Sequence, residues 1–126
     1  MTSASFGWMR TLEDHKVNPA NDLLTITVLD TPGQSGACRE YSITSGNAAP
    51  TLVSFQNGPI NEVGVNGVTH EALLAILCDR LRGFQHGPYA SPDNAEALKA
   101  LGCAQVALLR RTRARMARDV EGTHAT

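Results

Sequence analysis

Two hydrophobic periods divide this chain. Between residues 23 and 56 apolar side chains recur at alternate positions, and from residue 69 onward they recur every three or four. A period of two fits a strand and one near 3.6 fits a helix, so the pattern predicts sheet first and helices after. The expected class is α+β: a small N-terminal antiparallel β-sheet of three or four strands, followed by a two-helix antiparallel hairpin.

The first expected strand covers residues 23–30. Leu24, Ile26 and Val28 face one side, with Thr25 and Thr27 opposite. Asp30-Thr31-Pro32-Gly33 is a turn signal, because proline presets φ and glycine accepts positive φ. A second strand is expected at 38–44, with Tyr41 and Ile43 on one face, and a third at 51–56, with Val53 and Phe55 inward. Short connections favour a meander. Residues 1–21 carry no sustained period and read as a mobile arm, pinned by Trp8.

Residues 56–67 hold three glycines and three asparagines, a density that argues against a regular helix or strand. They read equally as a plain connector or as a ligand-facing loop rich in amides. Thr69 is a helix cap and Glu71 suits a helix N-terminus, opening a helix at 69–84 with a stripe of Leu73, Leu77, Leu81 and Phe84, widened by Leu74. Ser91-Pro92-Asp93 starts a second helix reaching about residue 118, with Leu98, Leu101, Leu108 and Met116 near one stripe. The short connection between them implies an antiparallel hairpin. A three-stranded meander and one partner helix cannot cover both stripes, which predicts a homo-oligomer.

At 126 residues the chain fits one domain with a short appendage. The expected division is an arm at 1–21 and a single domain at 22–126, with meander and loop at 22–67 and hairpin and tail at 68–126. Cys38, Cys78 and Cys103 are widely spaced, without the pairing a zinc site needs, so no metal is expected. No apolar run reaches membrane-spanning length and no signal-peptide core stands at the N-terminus, which points to the cytoplasm.

Residues 1–100 carry six Lys and Arg against ten Asp and Glu, a net of −4, whereas residues 101–126 carry five Arg against two acids, a net of +3. Those arginines suit an anionic partner or, more plainly, a solvated helix face. Arg111, Arg115 and Arg118 share one face beside Thr112, while Arg110 and Arg113 lie off it. Copies meeting in an oligomer would form a guanidinium-lined pocket suited to a compact, multiply phosphorylated ligand.

Enzyme motifs are missing: there is no phosphate-binding GxxxxGK[ST], HExxH, GxSxG or GxGxxG. His70-Glu71 and Asp79 are weak acid–base candidates. The 83–94 turn is more informative. Phe84 and Tyr89 flank a tight loop feeding a helix start, where aromatic faces stack on bases and amides meet phosphate. Asn94 supplies a donor and an acceptor for a base edge. The plainer alternative makes Phe84 a core closure and Tyr89 an exposed loop residue.

The runs SFQNGPINEVGVNGVTHEALLAIL (54–77), DRLRGFQHGPYASPDNAEAL (79–98) and RRTRARMARDVEGTH (110–124) closely resemble the phage Thoeris anti-defence 1 family of nucleotide sponges. That family shares its helical hairpin with a phage anti-CBASS sponge. The resemblance covers about residues 23–126 and is strongest after 51. It implies a non-enzymatic, cofactor-free protein of the host cytoplasm that sequesters the cyclic ADP-ribose isomers of Thoeris signalling. It also implies a second site for CBASS cyclic trinucleotides and self-association as dimer or hexamer.

Carried over by position, the ADP-ribose-isomer pocket takes Phe84 and Asn94, approached by Asn57, Gly58 and Pro59. Tyr89 stands where many members have phenylalanine. The trinucleotide site takes Arg111, Thr112 and Arg115, with Arg118 nearby and residues 120–124 closing around it. The chain departs from the family pattern at His70 and Ser91, and at 102–107, where related hairpins carry bulkier residues. The rival from another class is an arginine-rich oligomer that binds long nucleic acid, with an affinity that falls steeply with salt.

Overall fold

The structure, a computed structural model, describes residues 9–119. Among them run β1 (Arg10–Leu12), α1 (Pro19–Asp22), β2 (Leu24–Val28), β3 (Glu40–Ser45), β4 (Thr51–Ser54), α2 (Ile60–Val63), α3 (His70–Gln85) and α4 (Pro92–Asp119). The order of strands before long helices is the expected α+β arrangement. The chain divides into two compact units, the first running to Val68 and the second beginning at Thr69.

In the first unit the four strands form an antiparallel meander in the order β1-β2-β3-β4. Ile26 lies opposite Ile43, and Val28 opposite Tyr41, which in turn faces Val53. These alternate residues share one face, and Val28 is fully buried there. The Tyr41 and Phe55 rings meet edge to face, with centroids 5.7 Å apart. The strands flanking the β2–β3 turn are shorter than the alternation suggests. The Asp30 carboxylate accepts from the backbone N–H of Arg39 at 3.1 Å and of Glu40 at 3.2 Å, closing a loop there. Burial pushes the Asp30 carboxyl up, but these N–H donors and the Arg39 guanidinium hold it below its usual range.

The segment read as an arm contains β1 and α1. β1 pairs Arg10 with Val28 and Leu12 with Ile26. His15 Nε2 donates to the Leu24 carbonyl at 2.6 Å, fixing the connection to β2. α1 begins with Asn18, whose Oδ1 accepts from Asn21 N at 2.9 Å, and with Pro19 at its first position. A three-residue edge strand is too short to show a period, so sequence pattern missed it. Trp8 and residues 120–124 lie outside the described residues.

In the second unit α3 and α4 form an antiparallel hairpin, and both expected caps are present. Thr69 Oγ1 accepts from Ala72 N at 3.1 Å, and Ser91 Oγ from Asn94 N at 3.0 Å. Buried and half-buried positions on α3 run Glu71, Leu74, Cys78, Leu81 and Gln85, spaced three and four apart, with Leu73 beside them. Ser91, just before α4, and Asn94, Leu98, Leu101, Gln105, Leu108 and Thr112 along it make the matching row. This corrects the expected stripe, since Leu77, Phe84 and Met116 are exposed. The seam has polar ends: the Thr112 hydroxyl donates to the Glu71 carboxylate, and Gln85 Oε1 accepts from Ser91 N at 3.0 Å. With Thr112 level with the first turn of α3, residues 113–119 extend α4 about 10 Å beyond it.

Candidate ligand-binding site

The hairpin turn is rigidly built. His86 N donates to the Arg82 and Gly83 carbonyls, ending α3, and His86 Nδ1 donates to the Arg82 carbonyl at 2.7 Å. Gln85 reaches across to Ser91 N, so the turn is held where α3 stops and α4 starts. Phe84 lies on the last turn of α3 and is 37% exposed. The Arg80 guanidinium lies over its ring, 5.4 Å from the centroid, one helical turn back. Asn94, in the first turn of α4, directs Nδ2 to the Tyr89 carbonyl at 3.4 Å, leaving its Oδ1 without a described hydrogen-bond partner. Tyr89 itself is 74% exposed.

The turn therefore presents an exposed aromatic ring, an exposed phenol and a carboxamide on one short scaffold. A flat, polar-edged ligand can stack on the rings and pair with the amide. Phe84 is only partly covered within the single chain, while Tyr89 is exposed, as the plainer alternative also expects. Pattern reasoning singled out Phe84, Tyr89 and Asn94 but missed Arg80 and Gln85. The spacing of Arg80 to Phe84, one turn apart, was the available signal; nothing local marks Gln85 as a clamp.

The 56–67 loop belongs to the first unit. It contains α2, a single turn where no regular element was expected; Pro59 starts it, and Gly64 N donates to the Ile60 carbonyl at 2.8 Å to end it. Two side chains tie the loop together. Gln56 Nε2 donates to the Gly58 carbonyl at 3.1 Å and the Gly64 carbonyl at 2.9 Å, while its Oε1 accepts from Asn66 N at 3.0 Å. Asn66 Oδ1 accepts from Asn57 N at 2.8 Å, and Asn66 Nδ2 donates to the Asn57 carbonyl at 2.7 Å. The amide density thus builds the loop's neck. Gly58 has φ +90°, and a Cβ there would press Val63 at 3.2 Å. At Gly67 a Cβ would lie 2.6 Å from the Gln56 nitrogen, so only glycine lets the strand-like pairing of Phe55 with Val68 form. Asn57 keeps its side chain outside the hydrogen bonds of the described residues, and Pro59 is half-buried.

The arginine strip lies on α4. Arg111, Arg115 and Arg118 are exposed, as are Arg110 and Arg113. Arg111 and Thr112 are level with the start of α3; Arg115 and Arg118 stand on the extension beyond it. The Thr112 hydroxyl, expected to face ligand, is held by Glu71. Burial pushes the Glu71 carboxyl up, but the Thr112 hydroxyl, its own backbone N–H, Arg111 and His70 together hold it below its usual range. Glu71 to Phe84 spans thirteen helical steps, so the strip and the turn lie about 20 Å apart along one hairpin. Among the described residues no group of three or more His, Cys, Asp or Glu is placed to hold a metal ion, and no helix is long and apolar enough to cross a membrane.

Residues 50–113 match the family described as "Acb2/Tad1, hairpin domain". The matched stretch takes in the 56–67 loop, all of α3, the turn, and α4 as far as the first residues of the arginine strip. A protein of Bacillus phage SBSphiJ7, named Thoeris anti-defense 1, is 37% identical over 92 residues, which is 73% of this chain and 65% of that relative. The match therefore spans slightly less than two thirds of the relative's length. The family match covers just over half of the sequence and includes the turn built by Phe84, Gln85, Ser91 and Asn94, and on that basis the chain belongs to the Acb2/Tad1 hairpin-domain family.

Proposed function

We propose that this chain is a phage anti-defence protein that binds cyclic ADP-ribose isomers of the Thoeris system and sequesters them unchanged in the host cytoplasm. The observation that carries this reading is the clamped turn, where Phe84 presents an exposed ring and Asn94 a carboxamide within the family-matched region. Adenine stacks on the ring, and the amide pairs with a base edge or ribose hydroxyl. The Arg80 guanidinium over that ring supplies positive charge for the ligand's pyrophosphate. Because Gln85 and Ser91 fix the turn before any ligand arrives, little ordering cost opposes binding, as a sponge requires.

Tyr89 joins the proposed ligand set on the turn; Asn57, Gly58 and Pro59, in the first unit, are ligand residues by family resemblance. The arginine strip is the proposed second site, taking cyclic trinucleotides through Arg111, Thr112, Arg115 and Arg118. The protein acts as a homo-oligomer and without catalysis. The name of the phage relative supports the anti-defence role.

The deciding experiment is titration calorimetry with a cyclic ADP-ribose isomer, followed by heating and chromatography of the released ligand. Tight binding and intact ligand are expected. Altered ligand would make the protein an enzyme. Failure to bind, together with salt-sensitive affinity for long polynucleotides, would replace the sponge with a nucleic-acid-binding oligomer.

A further inference from the structure

Glu71 is one residue that the proposed sites do not absorb. It sits in the first turn of α3 and reaches across the seam to the α4 residue that begins the arginine extension. Its carboxylate takes the Thr112 hydroxyl as donor, so the Thr112 proton is unavailable to a phosphate oxygen. Arg111 is near enough to act on the same carboxylate electrostatically, and His70 adds to it from the same helix. A carboxylate on the Thr112 hydroxyl takes the contact that a phosphate oxygen of a ligand would make there.

We propose that Glu71 is a positioning residue of the arginine strip: an internal carboxylate that occupies the Thr112 hydroxyl until a ligand phosphate replaces it. The inference rests on the reading of that strip as a cyclic-trinucleotide site. While the site is empty, Glu71 holds Thr112 in one rotamer and partly neutralises the nearest arginine. When ligand enters, the Thr112 hydroxyl turns its proton to phosphate, and the negative field of Glu71 on Arg111 opposes the incoming anion. Binding is thereby weakened by the displaced carboxylate. Selectivity gains in return, because a ligand with one phosphate barely outcompetes Glu71, whereas a ring of three also engages Arg115 and Arg118.

The test uses the full chain and two probes, cyclic triadenylate and a cyclic ADP-ribose isomer, by calorimetry. Glu71→Gln keeps the shape and an acceptor for Thr112 but removes the charge. It should bind cyclic triadenylate on the order of fivefold tighter than wild type, the scale of one partly exposed charge–charge interaction. Its affinity for the ADP-ribose isomer should stay the same, which also verifies that the hairpin is folded. In an Arg111→Ala background the gain should vanish. A Glu71→Gln variant with unchanged or weaker triadenylate affinity, beside wild-type binding that needs Arg111, overturns the role of Glu71 and leaves the site standing. Loss of both ligands in Glu71→Gln assigns Glu71 to structure alone and overturns it too. Absence of triadenylate binding in both proteins, or binding indifferent to Arg111→Ala, removes the site and the inference with it.

Discussion

At the scale of single residues, two side chains at the hairpin turn carry the strongest expectation. Phe84→Ala removes a stacking face worth about 1–3 kcal/mol per base, so affinity for the ADP-ribose isomer should fall roughly 5- to 150-fold. Asn94→Ala should act in the same direction, and neither change should alter trinucleotide binding about 20 Å away along the hairpin. Calorimetry with both ligands on both variants checks this, and equal loss of both ligands would rule out independent sites. Glu71 carries a second expectation. Its folded carboxyl lies below its usual range, so it stabilises the fold at neutral pH. That contribution is lost as pH falls through the folded value. Wild type should therefore lose more thermal stability than Glu71→Gln between neutral and acid pH, and melting curves of the pair show the difference directly.

At the scale of elements, the helices were written plainly in the sequence and the seam between them was not. Thr69 and Ser91 announced both helix starts because a capping hydroxyl acts locally, on an N–H three residues ahead. Ser91→Ala should cost about 1 kcal/mol, seen as a lower melting temperature. Two adjacent apolar rows run along α3, however, and periodicity cannot tell which one meets α4. The row through Leu77 and Phe84 is the more hydrophobic, yet the seam runs through Cys78. Glu71 and Gln85 lie on that row and bond across to Thr112 and Ser91. A polar residue making a contact forty-one positions away leaves no trace in a local window. The same holds for β1, which exists only because β2 accepts it as an edge partner. In the 56–67 loop the density of glycine and asparagine fits a plain connector and a ligand-facing loop equally. Gln56 and Asn66 turn out to be spent on the loop's own backbone, and Asn57 keeps its amide clear of those bonds.

At the scale of the whole molecule, the proposed self-association would cover the exposed row on α3. Ile76 and Leu77 are about half exposed, and Val106 and Met116 on α4 are exposed further. Large apolar side chains left in water on both helices are what the proposed association would bury. Sedimentation equilibrium should give a mass that is a multiple of 13.4 kDa, and Ile76→Glu should move it toward the single-chain value. A wild-type monomer at every concentration would overturn self-association. The loop's neck has a separate consequence, for how the protein ages. Asn57-Gly58 and Asn66-Gly67 are both Asn-Gly pairs, the sequence most prone to deamidation through attack of the glycine nitrogen on the side-chain carbonyl. Asn66 is gripped at both ends of its amide and its glycine is wedged against the backbone of residues 55 and 56, whereas the Asn57 side chain makes no described hydrogen bond. Storage should therefore convert Asn57 to aspartate and isoaspartate well before Asn66, as peptide mapping of aged protein would read. The new negative charge would fall on a residue proposed to face a phosphorylated ligand, so an old preparation would lose capacity without unfolding.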